Sequence, residues 1–90
     1  IIDEINSQSD RSLSYMITAL YMHEEQVICF AMNGIGDATI YIVDSHGIVL
    51  NYCVYMEGDM NVFLDVPSIP GHYYLVIESS CVYAEGMFMV

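Results

Sequence analysis

Three histidines, His23, His46 and His72, and three cysteines, Cys29, Cys53 and Cys81, are the side chains of this chain best suited to nucleophilic or proton-transfer chemistry. A nucleophile needs a base and an orienting group within hydrogen-bond reach. Each histidine sits beside a polar turn, where an imidazole is ordinarily solvated, and no Gly-x-Ser-x-Gly elbow accompanies them. The cysteines lie far apart with no Cys-x-x-Cys pair, so a thiolate zinc site has no support. An odd count allows at most one internal disulfide. The expectation is three small, buried or half-buried thiols, with Cys29–Cys81 as the pairing if one bridge forms, because both fall on or near central strands.

The carboxylates could serve two further chemistries. Glycoside hydrolysis needs two acids facing one cleft; Asp59 and Asp65 share a strand region, but so short a chain leaves little room for a cleft. Calcium takes several oxygen ligands, often from loops. Glu57, Asp59 and Asn61 share one turn and form the candidate calcium set, although no Asp-x-Asp-x-Asp-Gly loop is present. The plainer reading is a solvated acidic turn. No catalytic constellation emerges, so a non-enzyme without a cofactor is expected.

Eight tyrosines offer a different kind of site. By simple alternation Tyr41, Tyr55, Tyr74 and Tyr83 fall on outward strand faces. Exposed tyrosine near Asp and Asn suits protein contact or stacking against sugar rings. Tyrosine is also a favoured strand residue in its own right.

The elements that must position these residues follow a period of two. Leu13, Tyr15, Ile17, Ala19 and Tyr21 mark one face of a first strand, with Ser14 and Thr18 on the other. Residues 27–32 (VICFAM) read as a central strand. Residues 38–44 (ATIYIVD) form a third, closed by a hairpin at Asp44-Ser45-His46-Gly47. In the fourth, 48–56, the inward face is taken as Ile48, Leu50, Tyr52 and Val54. The fifth, 60–66, turns Val62, Leu64 and Val66 inward. Pro67 and Pro70 remove ladder donors, so residues 67–71 read as a corner crossing between sheets. The sixth, 72–79, buries Tyr73, Leu75 and Ile77. The seventh, 82–90, buries Phe88 and Val90, with Gly86 marking a bulge. Residues 1–11 read as a flexible lead-in and 12–90 as one domain. The fold expected is all-β, a seven-stranded antiparallel sandwich of the immunoglobulin or fibronectin type III kind.

Composition narrows the partners. Twelve acidic residues stand against one basic residue, Arg11, for a net charge of −11. Phosphate binding needs Lys and Arg, so nucleic acid and anionic membrane are set aside. The 56% apolar fraction is high for a soluble domain, which leaves apolar surface for a partner. No apolar run is long enough for a transmembrane helix. The chain opens without Met, a basic n-region or an apolar h-region, and reads as a mature or trimmed product.

The order of motifs resembles a family of small secreted β-sandwich domains of unknown function from gram-negative gut bacteria. The carrying segments are RSLS at 11–14, ATIYIVDSHGIVL at 38–50, VFLDV at 62–66, PGHYYLVI at 70–77 and GMFMV at 86–90. A similar succession of strand, Asp-x-x-Gly turn and strand occurs in the C-terminal sorting domains of type IX secreted proteins. The resemblance implies export to the periplasm, cell surface or medium, and carries over no functional residue. Together these readings lead to an envelope-associated or secreted, non-enzymatic module for protein interaction, adhesion or assembly. Its partner would be another protein or a second copy. The alternatives are a carbohydrate-binding module using exposed tyrosines, and a spacer or sorting-type domain without a ligand.

Overall fold

Alternating burial governs almost every element. The computed structural model describes residues 6–7 and 15–90. Strand β1 (Asn6–Ser7) is followed by β2 (Met16–Met22), β3 (Val27–Asn33), β4 (Ala38–Asp44), β5 (Val49–Tyr55), β6 (Val62–Asp65), β7 (His72–Ser79) and β8 (Tyr83–Met89). They form two antiparallel sheets, one of five strands in the order β1-β8-β7-β4-β5 and one of three in the order β2-β3-β6. The seven expected strands are β2 to β8. The short β1 is an addition: within the segment read as a lead-in, Asn6 and Ser7 pair with Glu85 and Ala84 of β8. The rest of that lead-in, with Leu13 and Ser14, lies outside the described residues.

The core lies between the two sheets. Ile17, Ala19 and Tyr21 of β2 and Ile28, Phe30 and Met32 of β3 meet Ile40 and Ile42 of β4 and Leu75 and Ile77 of β7. Full burial of each large apolar side chain contributes roughly 1.5–3 kcal/mol. Period two places these residues on one face because successive Cβ atoms point to opposite sides of a strand.

Strand β5 departs from simple alternation. Val43 pairs with Val49, but its neighbour Ile42 pairs with Asn51, so Leu50 is an extra residue on β5. That bulge reverses the parity of everything after it. Asn51, Cys53 and Tyr55 therefore oppose Ile42, Ile40 and Ala38 on the core side. The inward face expected for Ile48, Leu50, Tyr52 and Val54 is thus overturned: all four are exposed, Tyr52 by 62%. Conversely, Tyr55, expected outward, is 1% exposed and its hydroxyl donates to the Met32 carbonyl across the sandwich at 2.9 Å. No bulge falls at Gly86, where the β7–β8 register runs unbroken from His72–Met89 to Glu78–Tyr83.

The turns show how the ends are held. Asp44, Ser45, His46 and Gly47 make the expected hairpin: the Gly47 amide donates to the Asp44 carbonyl at 3.1 Å, and Gly47 takes φ 85°. A type I turn followed by a left-handed residue is a standard way to close a three-residue hairpin. The β2–β3 turn, a four-residue loop over 23–26, also ends in a left-handed residue, here a worse one. Gln26 has φ 57°, a conformation that costs an L side chain roughly 1–2 kcal/mol. It is held by its amide on the Met22 carbonyl at 2.8 Å and by its carbonyl, which accepts from the Val66 amide at 2.9 Å. Gln26→Gly is expected to stabilise the domain by about 0.5–1 kcal/mol, a partial relief because glycine loses more entropy on folding. Urea unfolding checks it; a loss of stability would mean the Gln26 side chain contributes something its backbone does not show.

Residues 67–71 cross from the three-stranded sheet to the five-stranded one, as the prolines imply. At the far side of the crossing the Tyr73 hydroxyl donates back to the Ile69 carbonyl at 2.5 Å. Gly71 and Val90 exchange amide–carbonyl bonds at 3.1 and 3.0 Å, extending the β7–β8 ladder to the last residue.

Candidate functional site

The outer face of the five-stranded sheet gathers most of the tyrosines singled out from the sequence. Tyr41 lies opposite Tyr52 of β5 and Val76 of β7, and Val76 lies opposite Glu85. The ring centroids of Tyr41 and Tyr52 are 6.5 Å apart at 35°. The next row runs from Met87 through Tyr74 and Val43 to Val49, and the row on the other side from Tyr83 through Glu78 and Thr39 to Val54. Tyr74 and Tyr83 are exposed and Tyr41 is half-buried among its neighbours. Of the four candidates, Tyr41, Tyr74 and Tyr83 share this face, Tyr55 does not, and Tyr52 takes the missing place. The only sequence signal for that exchange was Asn51, a polar residue which defines neither face.

Two acidic groups edge the surface. The Tyr83 hydroxyl donates to Glu85 Oε2 at 2.9 Å. That bond, with minor help from burial and the charges of Glu85 and Glu78, pushes the Tyr83 phenol above its usual range.

Strand β5 is an edge of this sheet and, among the described residues, has no strand paired on its outer side. The Tyr52 amide donates to Asn51 Oδ1 at 2.9 Å, so it points away from β4. Alternation of the ladder turns the Val54 amide and carbonyl the same way. Native edge strands are usually blunted by lysine, proline or charge. From Val49 to Tyr55 there is none of these, and Ile48, Val49, Leu50, Tyr52, Val54 and Met56 are all exposed. Asn51 is the one polar residue, and its Nδ2 donates to the Asp65 carbonyl of β6 at 3.0 Å, tying this edge to the other sheet.

A cleft of about 510 Å3 opens at the start of β5. Leu50, Val66, Pro67, Ile69 and Tyr73 give it an apolar lining, and Asp44 and Asp65 are its charged members. Asp44 Oδ1 accepts from the His46 and Ile48 amides at 2.8 and 3.0 Å. The Ile48 amide chiefly holds the Asp44 carboxyl below its ordinary 3.8, against a smaller opposing effect of burial. A carboxyl lowered on folding stabilises the fold above 3.8, and that contribution vanishes as pH falls through the lower folded value. Asp44→Ala is therefore expected to flatten the pH dependence of the melting temperature below about pH 4 and leave its slope at neutral pH unchanged. An unchanged acid limb would remove the hairpin carboxylate from the account.

Two of the three candidate calcium ligands, Glu57 and Asp59, accept hydrogen bonds from backbone amides. Glu57 turns both carboxylate oxygens to the β3–β4 loop, Oε1 accepting from the Gly36 amide at 2.8 Å and Oε2 from Gly34 at 3.5 Å. Asp59 Oδ2 accepts from the Met56 amide at 3.0 Å. Asp37 Oδ1 accepts from the Glu57 amide at 2.9 Å. Among the described residues no three of His, Cys, Asp or Glu come together as a metal set, and Asn61 is exposed beside the turn. Glu57 is a clasp between two loops. Glu57→Ala is expected to cost about 1 kcal/mol in denaturant unfolding. A calcium-dependent rise in the wild-type melting temperature would support the cation reading of this turn.

The three histidines are exposed, at the β2–β3 turn, the β4–β5 hairpin and the start of β7. His23 lies against the Tyr21 ring at 4.1 Å between centroids. All three cysteines are free thiols; Cys29 and Cys53 are half-buried and Cys81 is exposed. Burial pushes the Cys53 thiol up. Cys81 Sγ reaches the Ile35 carbonyl at 3.7 Å, and no Cys29–Cys81 bridge is formed. Among the described residues no helix is long and apolar enough to cross a membrane. In comparison with known proteins, the chain matches no family model, no curated protein and no solved structure.

Proposed function

We propose that this chain is a non-enzymatic interaction module. It works by burying the outer face of its five-stranded sheet against another protein, with β5 available for strand addition. The single observation that carries the reading is the continuity of the Tyr41–Tyr52 face with an edge strand that has no lysine, proline or charge from Val49 to Tyr55. Aromatic and methionine side chains at an exposed patch are the composition of protein contact surfaces.

The sandwich is read as immunoglobulin-like, of the fibronectin type III kind. Two features support it. The sheets β2-β3-β6 and β8-β7-β4-β5 follow the order in which such sandwiches distribute their strands. Tyr73 begins the strand after the crossing and bonds a carbonyl four residues upstream, which is the geometry of a tyrosine corner. The sequence resemblance to small secreted sandwich domains favours an exported, envelope-associated or secreted setting, where adhesion and assembly are the roles such a face serves.

A photo-crosslinking residue tests the reading. Benzoylphenylalanine at position 52, introduced into the full chain in the producing cells, is expected to give a discrete crosslinked protein species. The same residue at position 24, in the β2–β3 turn, is expected to give none. Equal crosslinking from both positions, or none from either, would overturn the protein-contact reading. A second reading, glycan binding, rests on the adjacent rings of Tyr41 and Tyr52. It would replace the first if Tyr41→Ala and Tyr52→Ala abolished binding to a polysaccharide while crosslinking at 52 gave nothing.

A further inference from the structure

We infer that the occupant of the β5 edge is an extended segment of a different protein that carries a lysine or arginine. Its long side chain lies in the cleft beside Leu50, with its charged end at Asp44 and Asp65. This rests on the interaction reading and names its partner.

Three observations converge. First, the cleft is continuous with the free edge, because Leu50, the bulged residue of β5, is one of its walls. A strand added along Tyr52 and Val54 therefore brings its side chains past the cleft mouth. An incoming carbonyl would take the Tyr52 amide that Asn51 Oδ1 now accepts. Second, the lining selects a shape. An apolar trough of about 510 Å3 with Asp44 and Asp65 among its lining residues suits an aliphatic stem ending in a cation. Asp44 keeps Oδ1 on two hairpin amides, which fixes the carboxylate in place. Third, charge excludes the obvious rival. A second copy brings another −11, no lysine and a single arginine, so it offers a poor source of the cation and repels on approach. A basic partner is attracted by the same field.

The test uses the full chain and labelled extended peptides of about nine residues, built of alternating Val and Thr, read by fluorescence anisotropy. In one set an Arg is placed at successive inner positions; in the other norleucine takes its place. The best Arg peptide is expected to bind at least about tenfold tighter than its norleucine counterpart, and to weaken as salt rises from about 50 to 500 mM. In the double variant Asp44→Asn, Asp65→Asn the preference should fall below about threefold. The amide oxygen introduced at position 44 still accepts from the hairpin, and a single cooperative melting transition confirms that the variant folds. Equal binding of Arg and norleucine peptides would leave strand addition standing and overturn the cationic partner. Binding of neither set, with crosslinking at 52 intact, would overturn strand addition by a basic segment and leave only the sheet face as the interface. Self-association of the chain that strengthens with salt would overturn the inference in favour of a second copy.

Discussion

Tyr55→Ala is expected to lower the unfolding free energy by about 3–5 kcal/mol, the range for emptying a large aromatic site in a core. Tyr55 is the largest of the fully buried side chains. It reaches from β5 across the sandwich, and its hydroxyl supplies the Met32 carbonyl with a hydrogen bond. Each kcal/mol moves the melting temperature of a domain this size by about 4–8 °C, so the variant should melt some tens of degrees lower or fail to fold at growth temperature. Tyr55→Phe keeps the ring and removes only the bond, for about 1 kcal/mol. Tyr52→Ala, three residues away and on the other face, should change stability by less than about 0.5 kcal/mol. Urea unfolding of the three variants checks the ordering. A Tyr52→Ala loss as large as that of Tyr55→Ala would show that the β5 register is wrong, and the binding face with it.

Tyr73→Ala comes next, also at about 3–5 kcal/mol. Its ring stacks on Phe88 at 5.8 Å, and Phe88 meets Tyr21 edge-on at 5.6 Å, so one substitution loosens an aromatic cluster spanning both sheets. Such pairs add about 0.5–1.5 kcal/mol each beyond their buried area. Tyr73→Phe isolates the corner bond to Ile69 and should cost about 1 kcal/mol. Its distinguishing readout is local. Amide exchange at Gly71 and Val90, which pair across the corner, should accelerate more than exchange at Ile40 and Ile77 in the centre. Uniform acceleration would mean that the hydroxyl acts only on global stability and does not hold the corner.

The two tyrosines mark where the sequence was legible, at Tyr73, and where it was not, at Tyr55. Tyr73 stands in an alternating run, HYYLVIE, after two prolines, and its inward position follows from period two alone. The same arithmetic placed Tyr41, Tyr74 and Tyr83 outward and closed the hairpin at Gly47. It failed in β5 for one physical reason. Residues 48–56 are apolar at nearly every position, so either parity gives a plausible core face, and nothing in the residue types marks Leu50 as extra. The slip exchanged Tyr52 and Tyr55 and hid half of the candidate face. Gln26 escaped notice for the opposite reason: its left-handed backbone is imposed by the Met22 and Val66 bonds, and glutamine does not advertise it. The loop-clasping role of Glu57 was equally hidden, because acidic residues around a turn look alike whether they hold a cation or a neighbouring loop.

The order of strands also bears on how the chain reaches this state. β2–β3, β4–β5 and β7–β8 are hairpins, which close in about 1–10 μs. The pairings that join them, Ile40 with Ile77 and Phe30 with Val62, link residues distant in the chain. Sandwiches dominated by such pairings fold in milliseconds to seconds. The β4–β5 hairpin, with its apolar edge already formed, therefore waits unpaired for most of the folding time. During that interval the net negative charge is what keeps nascent chains apart. Refolding yield should consequently fall with protein concentration, and fall faster in high salt, because screening removes the one feature that separates two hairpins whose β4 edges stay exposed until β7 pairs with them.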